Sequence, residues 1–182
     1  MIKSKLLVSA LLLVGLTVSS FGAAHKSGEN LSTFQKSWLG NFDREIGKFV
    51  DLAEAFSEDG FKWRPAEGIR SVRETILHAA SANYSISAIL GKELPEGLNP
   101  RGFEKSITNR EEALKVLKES IAFAKAAVKS IDEESMSEQI KYFGKETPRM
   151  EAVMLMSGHN YEHLGQLIAY ARSFGVVPPW SK

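Results

Sequence analysis

Two histidines four residues apart are the side chains of this sequence best suited to chemistry. His159 and His163 lie in the otherwise largely apolar stretch SGHNYEHLGQLIAY, residues 157–170. On an α-helix, positions i and i+4 share one face, so both imidazoles can point toward one ion. The zinc-protease motif H-E-x-x-H has this spacing and uses its glutamate as a base, but Asn160 takes that position here. The pair therefore predicts two metal ligands without the protease base, and a pair that packs without metal stays an open alternative.

A third ligand is expected from His78, in the segment ETILHAAS. The chain has four histidines and no cysteine, which excludes disulfides, thiolate nucleophiles and thiolate metal sites. Any metal must therefore be held by nitrogen and oxygen. Cleavage of the N-terminal signal peptide predicted below would make His25 the first residue of the mature chain. His78 is therefore the remaining histidine of the folded body. Three imidazoles from two neighbouring helices would leave one coordination position open, as catalytic metal sites do.

Two polar residues beside the histidine pair are weak candidates for catalysis. Glu162 is three residues beyond His159 and is a candidate base, with a solvated residue on the helix flank as the alternative. Gln166 is three residues beyond His163 and is a candidate to orient a ligand or a water, with packing against the second long helix as the alternative. A haem bundle and a ferritin-like di-iron site are disfavoured, because the chain lacks C-x-x-C-H and paired E-x-x-H motifs.

Four long amphipathic segments must position these side chains. Apolar residues recur every three or four positions, and no convincing alternating strand pattern interrupts them. Ser71 and Glu74 predict a capping box at the start of the second segment, and Gly175 predicts the end of the fourth. The predicted helices cover residues 31–56, 71–90, 108–131 and 147–174, with irregular residues 132–146. This pattern predicts an all-α four-helix bundle with one long crossover connection.

The first 24 residues predict a signal peptide. Lys3 and Lys5 precede the 13-residue apolar run Leu6–Val18, and small residues lead to a cleavage site after Ala24. The run is shorter than the roughly 20 residues of a membrane-spanning helix, and an uncleaved anchor is the alternative. We therefore expect an exported protein, periplasmic or secreted, with a single domain at residues 25–182 and no stable membrane association after cleavage.

Charge gives no indication of a nucleic-acid partner. The chain has 23 basic and 22 acidic residues, and cleavage would remove two of the basic ones and none of the acidic ones. A mature chain so close to neutrality lacks the basic surface that nucleic-acid binding requires. We therefore expect a small-molecule ligand, which the sequence does not name.

Three stretches resemble the DinB-like family of metal-binding four-helix bundles, which includes thiol-dependent transferases related to maleylpyruvate isomerase. They are WRPAEGIRSVRETILHAA (63–80), GHNYEHLGQLIAYAR (158–172) and FGVVPPWS (174–181). The resemblance implies that His78, His159 and His163 hold a divalent metal, most often zinc or nickel, and that the protein is a homodimer. The imidazoles themselves suit zinc, nickel, copper and iron alike.

The sequence thus predicts an exported metal-binding bundle with a His₃ site, and two interpretations of its function. In the first, the protein is a metal-dependent hydrolase or transferase that acts on a small molecule. Export argues against thiol transfer, because the thiols that the family's transferases use are cytosolic. In the second, the protein binds metal or a small ligand, or has a structural role, without catalytic turnover.

Overall fold

Four long helices and two short ones make up most of the fold. The computed structural model describes residues 31–181, so the predicted signal peptide and His25 lie outside the described residues. In chain order the helices are α1 (Thr33–Ala55), α2 (Glu58–Lys62), α3 (Val72–Ile89), α4 (Phe103–Ser106), α5 (Arg110–Lys129) and α6 (Arg149–Phe174). Single 3₁₀ turns occupy Pro100–Gly102, Glu134–Ser137 and Pro179–Ser181. No helix between residues 31 and 181 has the length and apolar character of a membrane span.

The long helices form the predicted four-helix bundle. Helix α1 packs against α5 and α6, and α3 packs against the same two helices from the other side. Helices α1 and α3 are consecutive long helices, yet they lie diagonally across the bundle. The connection between them, which contains α2, therefore crosses one end of the bundle. Helices α3 and α6, which carry the three histidines of the folded body, are neighbours.

The core is formed by the apolar stripes that the sequence predicted. Fully buried side chains come from α1, α3, α5 and α6 together, and include Phe42, Phe49, Leu52, Ile76, Leu77, Leu117, Met156 and Leu167. Each such side chain stabilises the fold by roughly 1.5–3 kcal/mol relative to exposure. Trp38 stacks on Phe42 and donates its indole hydrogen to the Val153 carbonyl at 3.2 Å, which joins α1 to α6. The helices that carry the histidines are thus held in place by a well-packed core.

Helix ends follow local chemistry. The predicted capping box is present, because Ser71 accepts from the Glu74 amide and the Glu74 carboxylate accepts from the Ser71 amide. Asn109 caps α5 by accepting from the Glu112 amide at 2.8 Å. Gly175 ends α6 with a φ of 88°, a left-handed conformation that glycine adopts without strain. These caps confirm the predicted ends of three helices.

A β-hairpin lies in the region predicted to be irregular, so the expectation of no strands was wrong. Strand β1 (Gln139–Tyr142) pairs antiparallel with β2 (Lys145–Pro148). The two turn residues, Phe143 and Gly144, have φ values of 47° and 87°, as a type I′ turn requires. Phenylalanine is uncommon in that conformation, and the strands are four residues each. For both reasons the sequence pattern did not reveal the hairpin.

The short helix α2 lies between the predicted helices 31–56 and 71–90, and Gly60 lies inside it. Ser57 caps this helix by accepting from the Gly60 amide at 3.1 Å. A Cβ atom at Gly60 would lie 3.0 Å from a Phe174 ring carbon and 3.1 Å from one of Phe56. The glycine therefore permits close packing of α2 on the ends of α1 and α6, which fixes the connection that leads to α3.

Candidate metal centre

The structure brings the three predicted ligands together between α3 and α6. The Nε2 atom of His159 lies 3.3 Å from Nε2 of His78 and 3.2 Å from Nε2 of His163. All three ligand atoms lie within 4.8 Å of one another. Helix α6 places His159 and His163 on one face, one turn apart, and α3 supplies His78 from the neighbouring helix. The predicted convergence of the rings is therefore present.

Hydrogen bonds at the outer nitrogens fix the tautomers of two of these rings. His78 Nδ1 lies 3.1 Å from Oε1 of Glu104, and a carboxylate accepts a proton from it. His163 Nδ1 lies 2.8 Å from the amide oxygen of Gln166. Both Nδ1 atoms therefore carry hydrogen, and both Nε2 atoms present a lone pair to the centre. Such outer partners are what metal-ligating histidines use.

The orientation of Gln166 is itself determined by its neighbours. Its amide nitrogen donates to the hydroxyl of Tyr170 at 2.7 Å, and that hydroxyl donates to the backbone oxygen of Arg70 at 3.1 Å. The amide oxygen must therefore face His163. On the other side, the Arg70 side chain donates through Nε to Glu104 at 3.1 Å. Arg70 thus supports both histidine partners, one through its backbone and one through its side chain.

The distances between the ring nitrogens fit a metal ion. The lone pairs of His78 and His163 face Nε2 of His159 at 3.2–3.3 Å, and a cation held by all three nitrogens would satisfy them. In a tetrahedral site with bonds of about 2.0–2.1 Å, neighbouring nitrogens lie about 3.3–3.4 Å apart. The observed separations match this value. A donor set of three neutral imidazoles therefore suits a divalent first-row ion, without selecting which one.

Burial and nearby charges keep His78 and His159 in the neutral form that binds metal. The pKa of His159 is lowered from 6.5 to about 4, first by burial and then by the nearby His163, His78 and Arg70. The pKa of His78 is also lowered, by burial first and then by Arg70 and His163, while Glu104 acts in the opposite direction. Metal binding requires unprotonated imidazole. The site therefore presents neutral His78 and His159 rings at neutral pH.

His159 differs from the other two histidines in having no outer partner. Its Nδ1 atom is buried and makes no hydrogen bond to any residue of the range 31–181. Its ring is held by the other two, with ring centres 5.1 Å from His78 and 4.5 Å from His163. A buried unpaired donor costs about 1–3 kcal/mol. Costs of this kind concentrate at functional sites.

A buried polar network sets α6 against α3 next to the triad. Asn160 donates to the Asn83 side-chain oxygen at 2.8 Å, and Asn83 donates to the Ser120 hydroxyl at 3.1 Å. The network links α6, α3 and α5 directly below His159. Asn83 and Tyr84, which follow His78 on α3, are both buried in the core. Asn83 thus aligns the helices that carry the ligands.

The two catalytic candidates have different surroundings. Glu162 is exposed on the flank of α6, which is the solvated placement that the sequence left open. Gln166 contacts His163 and so orients a ligand residue. Sequence reasoning missed Glu104, which α4 presents to His78. Arg73 of α3 donates to the backbone oxygens of Glu104 and Ile107 and holds α4 in place. A carboxylate in a polar connection carries no sequence signal of this role.

An open cleft of about 510 Å³ adjoins the triad. Its walls include Glu104 and Gln166, the partners of His78 and His163, together with Arg64, Arg70 and Glu74. The His78 side chain is 30% exposed, so solvent reaches the triad. The volume lies within the roughly 300–1,000 Å³ of small-ligand sites. A second groove of about 500 Å³, lined by Trp38, Met154 and Tyr161 among others, lies between α1 and α6 away from the histidines.

The chain is similar to known proteins in both sequence and fold. The model of the DinB family matches residues 31–182. YjoA of Bacillus subtilis, a protein described as uncharacterised, is 26% identical over 129 residues, which cover 69% of this chain and 80% of YjoA. A DinB-like protein from Bacillus cereus has a TM-score of 0.69 at 16% identity, covering 79% of this chain and 95% of the other.

A second similar structure is that of YfiT from Bacillus subtilis. Its TM-score is 0.61 at 14% identity, and the match covers 84% of this chain and 95% of YfiT. YfiT is described as a probable metal-dependent hydrolase with an unusual four-helix bundle topology. At this identity the likeness concerns the fold.

Proposed function

Since the chain belongs to the DinB family, we propose that it is an exported enzyme that holds one divalent ion, zinc or nickel, at His78, His159 and His163. It acts as a metal-dependent hydrolase or transferase on a small molecule, and the description of YfiT favours hydrolysis. One observation carries the proposal. The Nε2 atom of His159 lies 3.2–3.3 Å from those of His78 and His163, and all three ligand atoms lie within 4.8 Å of one another.

The residues of this chain prepare the site in two ways. Glu104 and Gln166 fix the rings of His78 and His163. Burial keeps His159 neutral, so that the ligand does not have to lose a proton before it binds. When bound, a divalent ion supplies Lewis-acid chemistry, because it polarises a carbonyl or phosphoryl group and makes water more acidic.

An exchangeable coordination position distinguishes the enzyme from the non-enzymatic alternative. The cleft beside Glu104 and Gln166 and the partial exposure of His78 favour such a position. Cobalt-loaded protein tests this directly, since its visible absorbance depends on the ligands of the ion. We expect azide to change the spectrum. A spectrum unaffected by azide would favour a closed, non-catalytic metal.

Metal content is the primary test. The purified wild-type protein is expected to contain about one equivalent of a divalent metal by inductively coupled plasma mass spectrometry, since one triad binds one ion. The His159→Ala/His163→Ala double variant is expected to contain almost none. Glu162→Ala is the matched control, because Glu162 lies on the same turn of α6 but is exposed. Equal metal content in the wild type and the double variant would refute the proposal.

A further inference from the structure

Two arginines line the cleft beside the triad, and they are held differently. Arg64 donates to the Ile69 carbonyl at 2.6 Å and forms an ion pair with Glu74 at 3.1 Å. Its guanidinium is therefore committed to the connection that precedes α3. Arg70 forms its ion pair with Glu104 through Nε alone, at 3.1 Å. Both side chains remain about two-fifths exposed, at 41% and 43%.

The terminal amino groups of Arg70 face no partner from the protein. Within residues 31–181 they make no hydrogen bond or ion pair, since every side-chain contact of Arg70 uses Nε. The pair with Glu104 nevertheless fixes the guanidinium at the edge of the cleft. A fixed guanidinium with two terminal amino groups available binds a carboxylate or phosphate through two parallel hydrogen bonds.

The charge of the cleft also favours an anionic ligand. Arg64 and Arg70 balance Glu74 and Glu104, and imidazoles that bind a metal are uncharged ligands. A divalent ion at the triad would leave the cleft with an excess of about two positive charges. An excess of positive charge in a cleft attracts ligands of the opposite sign.

We propose that Arg70 is an oxyanion-binding residue and that the substrate is a small molecule carrying a carboxylate or phosphate group. That group binds end-on to the terminal amino groups of Arg70, and the remainder of the molecule extends along the cleft toward the three histidines. The inference about the reactive end of the substrate rests on the proposed metal function. The inference of an anion site depends only on Arg70 and its contacts. Arg70 therefore determines which substrates are accepted.

The test compares Arg70→Gln and Arg70→Lys with the wild type and with a matched control. Arg44→Gln is the control, because Arg44 is also exposed and also pairs with a glutamate, Glu45, through Nε at 3.1 Å. Each protein is first loaded with zinc, and its metal content is then measured. Succinate and inorganic phosphate are then titrated separately, and binding is followed by the NMR signals of arginine side chains and by calorimetry. The two probes distinguish a carboxylate site from a phosphate site.

We expect Arg70→Gln to weaken binding of at least one probe by roughly tenfold or more, as loss of a charged hydrogen-bond pair does. Arg70→Lys keeps the charge without the planar fork and is expected to lose less, and Arg44→Gln to lose nothing. Because Arg70 also contacts Glu104, the titration is repeated on metal-free protein, where altered metal content cannot account for a difference.

Equal affinity of Arg70→Gln and the wild type for both probes would overturn the inference, as would a wild type that binds neither. A wild type that contains no metal would refute the proposed function instead. The metal-free titration would still decide the anion site in that case, so the two failures are distinguishable.

Discussion

The outer nitrogens of the three histidines have different surroundings, and this determines how strongly each ring binds the ion. His78 is paired with a carboxylate, His163 with an amide, and His159 with neither. A carboxylate partner makes an imidazole a stronger ligand by drawing its Nδ1 proton, and an amide does so more weakly. His78 is therefore expected to be the most basic ligand toward the ion, although it comes from a different helix than the other two.

Replacement of Glu104 tests this role. We expect Glu104→Ala to lower zinc affinity about 10–100-fold, because His78 loses the partner that fixes its tautomer. Glu104→Gln is the matched control, since its amide oxygen still accepts from Nδ1, and its loss should be smaller. Competition with a chelator of known affinity measures both. If Glu104→Ala binds zinc as tightly as the wild type, Glu104 does not position His78.

The buried His159 predicts a pH dependence of stability in metal-free protein. Its folded-state pKa is about 4, whereas an unfolded histidine titrates near 6.5. Between these values the unfolded chain binds a proton that the folded chain does not, so the free energy of unfolding falls as the pH is lowered. The full contribution is present above about pH 6.5 and falls by about pH 4; because the ring is only partly buried, solvent screening reduces this loss to about 1–2 kcal/mol.

Urea unfolding at several pH values, with a chelator present, measures this effect. The His159→Gln variant removes the titrating ring and is expected to show a flatter profile between pH 6.5 and 4. His78 shares the direction of the shift, so part of the slope should persist. An unchanged profile in His159→Gln would assign the dependence to other groups.

At the scale of the elements, the register between α3 and α6 depends on Asn83. Its side chain bonds to Asn160 on α6 and Ser120 on α5. We expect Asn83→Ala to lower the free energy of unfolding by about 1–3 kcal/mol, because it leaves buried polar partners unsatisfied. Ser85→Ala, on the same helix, is the control. Denaturant unfolding measures both, and equal stabilities would show that the network does not hold the helices together.

Two helical glycines, Gly60 in α2 and Gly40 in α1, predict opposite effects of a Gly→Ala change. Gly60→Ala places a methyl group 3.0 Å from Phe174 and 3.1 Å from Phe56, and such overpacking costs about 1–3 kcal/mol. Gly40 lies exposed within α1, where a Cβ atom meets nothing within 4 Å. Gly40→Ala should therefore stabilise the protein by about 0.5–1 kcal/mol. Thermal unfolding distinguishes the two, and a stabilising Gly60→Ala would contradict the packing at this end of the bundle.

Local signals predicted the long helices well and the connections poorly. The ends of α3 and α6 follow from Ser71 with Glu74 and from Gly175, since caps act within a few residues. The spacing of His159 and His163 placed both on one face for the same reason. Glu104, Gly60 and the hairpin turn at Phe143 depend on partners distant in sequence. Their roles follow from packing, which one sequence without coordinates does not reveal.

At the scale of the whole molecule, two properties of the mature protein stay predictions. The signal peptide and its cleavage after Ala24 lie outside the described residues, and the homodimer follows from the family resemblance. N-terminal sequencing of the exported protein is expected to begin at His25, and sedimentation equilibrium to give twice the mass of the mature chain. An N-terminus at Met1 would show that the predicted signal peptide is not cleaved. The mass of a single mature chain would contradict the predicted homodimer.

The position of Arg70 couples the binding of the metal ion to the binding of an anion. Its side chain leads through Glu104 to His78, and its backbone oxygen leads through Tyr170 and Gln166 to His163. Thermodynamic linkage then requires reciprocity: if metal loading tightens anion binding by some factor, a saturating anion must tighten metal binding by that same factor. A cell that supplies the substrate would thereby also help the protein retain its metal.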